Sequence, residues 1–204
     1  MPHADSALVP PGLDQPAFWN HVHDQVQLLL DGQRDWITNL ANASSLIYNS
    51  LLAYDAHFGS GPRAVNWCGF YIISQLFPSP QITRSRSDES RLVNSNRLLL
   101  GPFCGKPACQ FINTTPGKAR GVCADAFLKK SAVLVRDVGT YPGHIACDGE
   151  TKSEVVCPLI VDVSGEQTVV GVLDLDCLAP GGFSEEDEHG LTRIARLVAN
   201  ACDW

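Results

Sequence analysis

Apolar residues recur at three- and four-residue steps through the first quarter of the chain, then largely at every second residue. Phe18, Val22, Val26, Leu29 and Leu30 form one stripe, with Pro16 suited to a first turn and Gly32 to a stop, which predicts a helix over residues 16–31. Trp36, Leu40, Ala43, Ile47, Leu51 and Tyr54 form a second, predicting a helix from about Arg34 to His57 that Gly59-Ser60-Gly61-Pro62 ends. These helices either pack on a sheet or pair with a second copy of the chain in a homodimer; packing is the favoured reading. Residues 1–15, with three prolines in the first twelve and no periodicity, read as a loose tail.

Period-two patterning begins at Val65–Ile73, which puts Trp67, Gly69, Tyr71 and Ile73 on one strand face and Cys68, Phe70 and Ile72 on the other. The glycine between the two aromatics leaves a concavity suited to a flat or cationic group, or simply marks a core strand. Residues 75–96, rich in Ser, Arg, Pro and Asn, read as a long mobile insertion between two hairpin strands. Strands are expected at Arg97–Phe103, around Gln110–Ile112 and at Ala132–Val138, and a short helix at Val122–Lys130. In Ser153–Asp162, Val155, Cys157 and Leu159 share one face and Glu154 and Val156 the other. In Thr168–Cys177, Val169, Leu173, Leu175 and Cys177 face the core. Asp174 and Asp176 leave the opposite face together with Val170 and Val172, the two acids roughly 7 Å apart. Ser184 caps a last helix through about Cys202, with Asp187 as the acidic member of a capping box. The order predicts an α+β domain, a central antiparallel sheet with helices packed on one side and an N-terminal helical extension.

Composition narrows the function classes. A chain of 204 residues, 45% hydrophobic and 18% charged, supports one packed domain. Its net charge of −7 argues against nucleic acid or an anionic membrane as partner. No apolar run reaches the roughly 18–20 residues needed to span a bilayer. Met1–Pro11 lacks the basic start and apolar core of a signal peptide, so a cytoplasmic chain is expected, a nuclear location being compatible. In a reducing compartment eight cysteines mean buried thiols, metal ligands or redox chemistry. Without a Cys-x-x-Cys, and with only Cys104-x4-Cys109 and His144-x-x-Cys147 as near spacings, no metal site is expected.

Cys68, Cys157 and Cys177 sit at core positions of strands and read as inert. Cys109, Cys123 and Cys147 instead follow glycine-rich loops, where backbone amides lower a thiol pKa, and Cys123 opens a predicted helix whose dipole favours thiolate. Cys147 lies in Gly143-His144-Ile145-Ala146-Cys147-Asp148, with His144 as its local cation and Asp148 opposing ionisation. The residues alone leave it between a nucleophile and an unreactive loop thiol. Paired Asp174 and Asp176 repel unless they meet a cation, a metal or a shared proton, or simply face solvent.

With these residues in view, the chain resembles the free methionine-(R)-sulfoxide reductases, a family built on the GAF fold. The strings that carry the likeness are NWCGFYII, LLLGPFCGKPACQFI, GKARGVC, DVGTYPGHIACD, SEVVCPLIV, VVGVLDLD and FSEEDEHGLTRIARLV, spanning about Asn66 to Val198 around the 75–96 insertion. The resemblance implies a single GAF domain over residues 16–204, its N-terminal helices within 16–59, with Cys147 as catalytic cysteine and Cys109 and Cys123 as candidate resolving positions. It implies that Glu154, Asp174 and Asp176 bind the amino-acid substrate and assist proton transfer, and that Trp67 and Tyr71 embrace its sulfur end. It further implies a free methionine-(R)-sulfoxide substrate, a thioredoxin-type reductant and no metal or organic cofactor. Departures fall in loops: 75–96, 113–118, 164–168, and Gln110 beside the first cysteine. A non-catalytic GAF ligand-binding module and a thiol redox sensor are the rival readings.

Overall fold

The computed structural model describes residues 4–78, 96–145 and 147–204. Helix α1 (Gln15–Leu30) starts where Asp14 accepts a hydrogen bond from the Ala17 amide at 2.9 Å, and α2 (Trp36–Ala53) where Asp35 accepts from Thr38 at 2.8 Å. Helix α2 stops four residues before the expected His57. Tyr54 leaves helical geometry because its hydroxyl donates to the Leu13 carbonyl at 3.0 Å while its ring stacks on Phe18, 4.1 Å between centroids. The upstream segment is less loose than its composition implies: Ala4–Ala7 form a 3-10 turn, and Val9 and Leu13 pack against the helical core.

Among the described residues six strands follow: β1 (Val65–Ile73), β2 (Arg97–Gly105), β3 (Phe111–Asn113), β4 (Val133–Val135), β5 (Ser153–Val163) and β6 (Glu166–Cys177). They form one antiparallel sheet in the order β3-β2-β1-β6-β5-β4. The expected insertion begins with a 3-10 turn at Ser74–Leu76; residues 79–95 lie outside the described residues. The short helix α3 (Val122–Lys129) separates β3 from β4, and α4 (Glu185–Ala201) closes the chain.

Helices α1, α2 and α4 cover one face, burying Phe18, Leu40 and Ile47 against Phe70, Leu173 and Leu175. The exception to helices on one side is α3, which packs Val122, Cys123 and Ala126 against the opposite face with Trp67, Tyr71 and Val172. Strand alternation places Cys68, Cys157 and Cys177 in the helix-side core, as their spacing predicts. Val170 departs from it. A register shift pairs Leu159 with Gly171 but Ile160 with Val169, so Val170 is the extra residue of a bulge and turns into the helix-side core instead of joining the acids.

The capping box at the start of α4 is present, and its acid does more than cap. Asp187 is fully buried; its carboxylate accepts from Trp19 Nε1 and Gln15 Nε2, each at 2.8 Å, and lies 3.4 Å from His57 Nε2. These bonds hold its pKa below the usual range against burial. One carboxylate thus ties α1, the segment after α2, and α4 together on the face away from α3.

Candidate active site

The α3 side of the sheet carries an open cleft, bordered by the loop that carries Cys147. Trp67 and Tyr71 leave β1 on this face with ring centroids 5.8 Å apart and 24° between planes, and Trp67 stacks again on Phe103 at 5.5 Å. That spacing is direct ring-on-ring stacking, so the concavity expected at Gly69 is closed by the rings themselves. A Cβ at Gly69 would lie 2.6 Å from the Trp67 ring. The two aromatics therefore form a wall, and each keeps a polar handle. Trp67 Nε1 is buried without a hydrogen-bond partner among the described residues, and the Tyr71 hydroxyl donates to the Cys109 carbonyl at 3.0 Å.

Beside this wall the β5–β6 register sets Glu154 opposite Asp176 and Val156 opposite Asp174, bringing three carboxyls to one face. Burial raises the Asp174 pKa well above the carboxylate range and Glu154 adds to the shift, while a hydrogen bond from Cys123 opposes it. Asp176 is raised by burial first and by Asp174 second. Glu154 is raised to about 7 by burial, against the pull of His144, whose Nε2 lies 3.3 Å from Glu154 Oε2. The cleft thus holds neutral or proton-sharing acids at neutral pH. Asp174 Oδ1 is buried and has no hydrogen-bond partner among the described residues.

Cys123 does not have the environment its position suggests. It lies in the first turn of α3, yet its thiol donates to Asp174 Oδ2 at 3.1 Å. Burial, with Asp174 and Glu154 beside it, pushes its pKa far up. A helix terminus contributes about 0.3–1 kcal/mol at an exposed site. Full burial beside two acids outweighs that contribution, so the thiol wins over the thiolate. Cys123 Sγ and one oxygen each of Glu154 and Asp174 also lie within 4.8 Å of one another, the ligand types of a metal site. No sequence spacing reveals this set, because three separate elements supply it.

Cys109 and Cys147 are joined by a disulfide, Cα atoms 5.8 Å apart, and Cys147 is exposed at the mouth of the cleft. Asp148 lines the cleft, where its charge adds to the shift at Asp176, and it is held by a cation and two donors. It lies 3.4 Å from Lys106, accepts from Asn66 at 3.2 Å and from the Glu150 amide at 3.0 Å, and Lys106 also pairs with Glu150. These contacts clamp the Cys147 loop to the loop bearing Cys109. His144, read as the local cation for Cys147, instead pairs with Glu154. Seven of the eight residues picked out by sequence line the cleft; Cys109 sits at its rim through the disulfide. Arg120 escaped sequence reasoning. It lines the same cleft on a segment that, before folding, shows only a lysine and an arginine between glycines.

The GAF domain family profile matches residues 85–203. The free methionine-R-sulfoxide reductase of Saccharomyces cerevisiae is 38% identical over 202 residues, 98% of this chain and 94% of that protein. That of Escherichia coli is 31% identical over 89% of this chain and 87% of its own length. Among solved structures, the free methionine-R-sulfoxide reductase of Neisseria meningitidis in complex with its substrate superimposes with a TM-score of 0.70. It is 29% identical and covers 95% of this chain and 93% of that one.

Proposed function

The chain belongs to the free methionine-R-sulfoxide reductase family of GAF domains, and on that premise we propose that it reduces free L-methionine-(R)-sulfoxide to methionine, with Cys147 as nucleophile. The observation that carries this reading is the Cys109–Cys147 disulfide at the mouth of a cleft lined by two buried carboxyls, Glu154 and Asp174, and the half-buried Asp176.

In the reduced enzyme the Cys147 thiolate attacks the sulfoxide sulfur. Glu154, with a pKa near 7, or Asp174 beside it, supplies the proton that the sulfoxide oxygen takes up. The oxygen passes to Cys147 as a sulfenic acid and the thioether product, methionine, leaves. The Cys109 thiol then attacks the Cys147 sulfur, the S–O bond breaks, water departs and the disulfide forms. A thioredoxin-type dithiol returns both cysteines to thiols, itself becoming a disulfide. The sum is one sulfoxide and two thiols converted to one thioether, one disulfide and one water.

Selection of the free amino acid follows from charge. The substrate ammonium offers the positive charge that three crowded acids lack, and a peptide-bound methionine has none to offer. Arg120, exposed beside the cleft, has the planar fork that suits the substrate carboxylate. Trp67 Nε1 is a spare donor for the sulfoxide oxygen or the carboxylate. Cys109 is the resolving cysteine in this scheme, and Cys123 acts as a donor to Asp174, its thiol too costly to ionise.

The test is NADPH oxidation coupled through thioredoxin, with free methionine-R-sulfoxide, its S epimer and a peptide-bound sulfoxide as substrates. Turnover confined to the free R epimer is expected, abolished by Cys147→Ser. Equal turnover on all three, or none, would sink the assignment.

A further inference from the structure

On the sheet face opposite the cleft lies a second pair of cysteines. Cys68 on β1 and Cys104 on β2 are direct cross-strand partners, and opposed residues of an antiparallel pair project to the same face. Opposed Cα atoms in such a ladder lie about 4.5–5.5 Å apart, inside the range of about 4.4–6.8 Å that a disulfide bridges. That face is the one beneath α2. Cys68 is fully buried in the helix-side core, the Ser44 side chain of α2 lies near Cys104, and both thiols lie close enough to Tyr48 of α2 to raise its pKa after burial does. Cys104 is half-exposed. Both thiols are free in a structure where Cys109 and Cys147 are already joined.

We propose that Cys68 and Cys104 form a second redox-active dithiol, independent of the Cys109–Cys147 pair, which closes to a cross-strand disulfide when a small disulfide such as oxidised glutathione is the oxidant. Cys104, the accessible member, attacks the glutathione disulfide and releases one glutathione thiol. Cys68, held opposite, then attacks the Cys104 sulfur and releases the second. Two protein thiols are oxidised, one glutathione disulfide is reduced, and each protein thiol gives up one proton. Burial raises both thiol pKa values, Cys68 more strongly because it is fully buried and Cys104 only half-buried, so the exchange is slow and begins at Cys104. Closure staples the end of β2 to the inner strand β1. The Gly105–Cys109 segment leaves from that point, so the root of the loop carrying Cys109 becomes covalently fixed.

The experiment incubates the reduced full-length chain with oxidised glutathione, blocks remaining thiols with an alkylating agent, and maps peptides without reduction. A bridge between the peptides bearing Cys68 and Cys104 is expected in the wild type. It persists in Cys109→Ser, which excludes the neighbouring cysteine as partner, and disappears in Cys104→Ser and in Cys68→Ala. Because the bridge also shortens the unfolded chain's freedom, the oxidised Cys109→Ser protein melts about 5–10 °C above its reduced form. A glutathione adduct on Cys104 with Cys68 still free overturns the proposal. So does an unmodified Cys68 in wild-type protein whose Cys109–Cys147 bridge has closed. The wild-type arm needs no substitution, so a variant that fails to fold leaves the test intact.

Discussion

Replacing Glu154 by glutamine tests whether the acids of the cleft are held against their will. The side chain is buried, and its pKa rises from 4.5 to about 7, chiefly through desolvation. The folded protein therefore binds more protons than the unfolded chain between those values, and stability falls as pH rises through that window. A shift of this size corresponds to about 3 kcal/mol at roughly 1.4 kcal/mol per unit, fully present as a penalty above pH 7 and absent below about pH 4.5. Glutamine carries no charge, so the variant does not incur this loss. It does give up the charged contact with His144 at 3.3 Å, which acts on the wild type only while Glu154 is ionised.

The assay is urea unfolding of both proteins, with the Cys109–Cys147 bridge intact, at steps from pH 4.5 to 8. Stability of Glu154→Gln minus that of the wild type should become more positive by about 3 kcal/mol across the range, most of the change falling between pH 5 and 7. Turnover should fall at the same time, since the variant has no proton to donate. Parallel stability profiles would refute the reasoning, because they would mean that Glu154 ionises as easily in the cleft as in water.

Asp187→Asn should destabilise by about 3–5 kcal/mol at pH 7, as it breaks a buried charge from Trp19, Gln15 and His57. Its pKa is lowered on folding, so that contribution stands above the unfolded value of 3.8 and fades as pH drops below it; the gap between the two melting curves should narrow in acid. Gly190→Ala should lower the melting temperature by about 3–10 °C despite alanine's helix preference, because its Cβ would overlap the Trp19 ring; a higher melting temperature would refute this. Tyr71→Phe removes the hydroxyl bonded to the Cys109 carbonyl and should slow disulfide closure about fivefold while leaving the first release of methionine unchanged, read by rapid quench.

What could be read before folding was whatever depends on near neighbours. Strand alternation sorted Trp67 and Tyr71 from Cys68 and Phe70, and Ser184 with Asp187 announced the start of α4, because those signals span two or three residues. The failures share the opposite property. Asp187 meets Trp19 and Gln15 across more than 160 positions, and nothing local tells a capping acid from a buried hub. Val170 changes faces through a bulge set by the facing strand. The helix terminus at Cys123 is a local effect, and burial beside Asp174 and Glu154, a tertiary one, decides its protonation.

The sheet order links the redox state of the cysteines to the acids. Cys109 lies in the connection from β2 to β3, and Cys147 in the connection from β4 to β5, on opposite halves of the order β3-β2-β1-β6-β5-β4. The strands between those halves are β1 and β6, which carry Trp67, Tyr71, Asp174 and Asp176. A bond between Cys109 and Cys147 therefore joins the two halves across the strands that line the cleft, helped by Lys106 bridging to Asp148 and Glu150. On the proposed reaction, the step that restores the nucleophile also removes the covalent link between the two loops at the mouth of the cleft, while Lys106 still bridges them through Asp148 and Glu150.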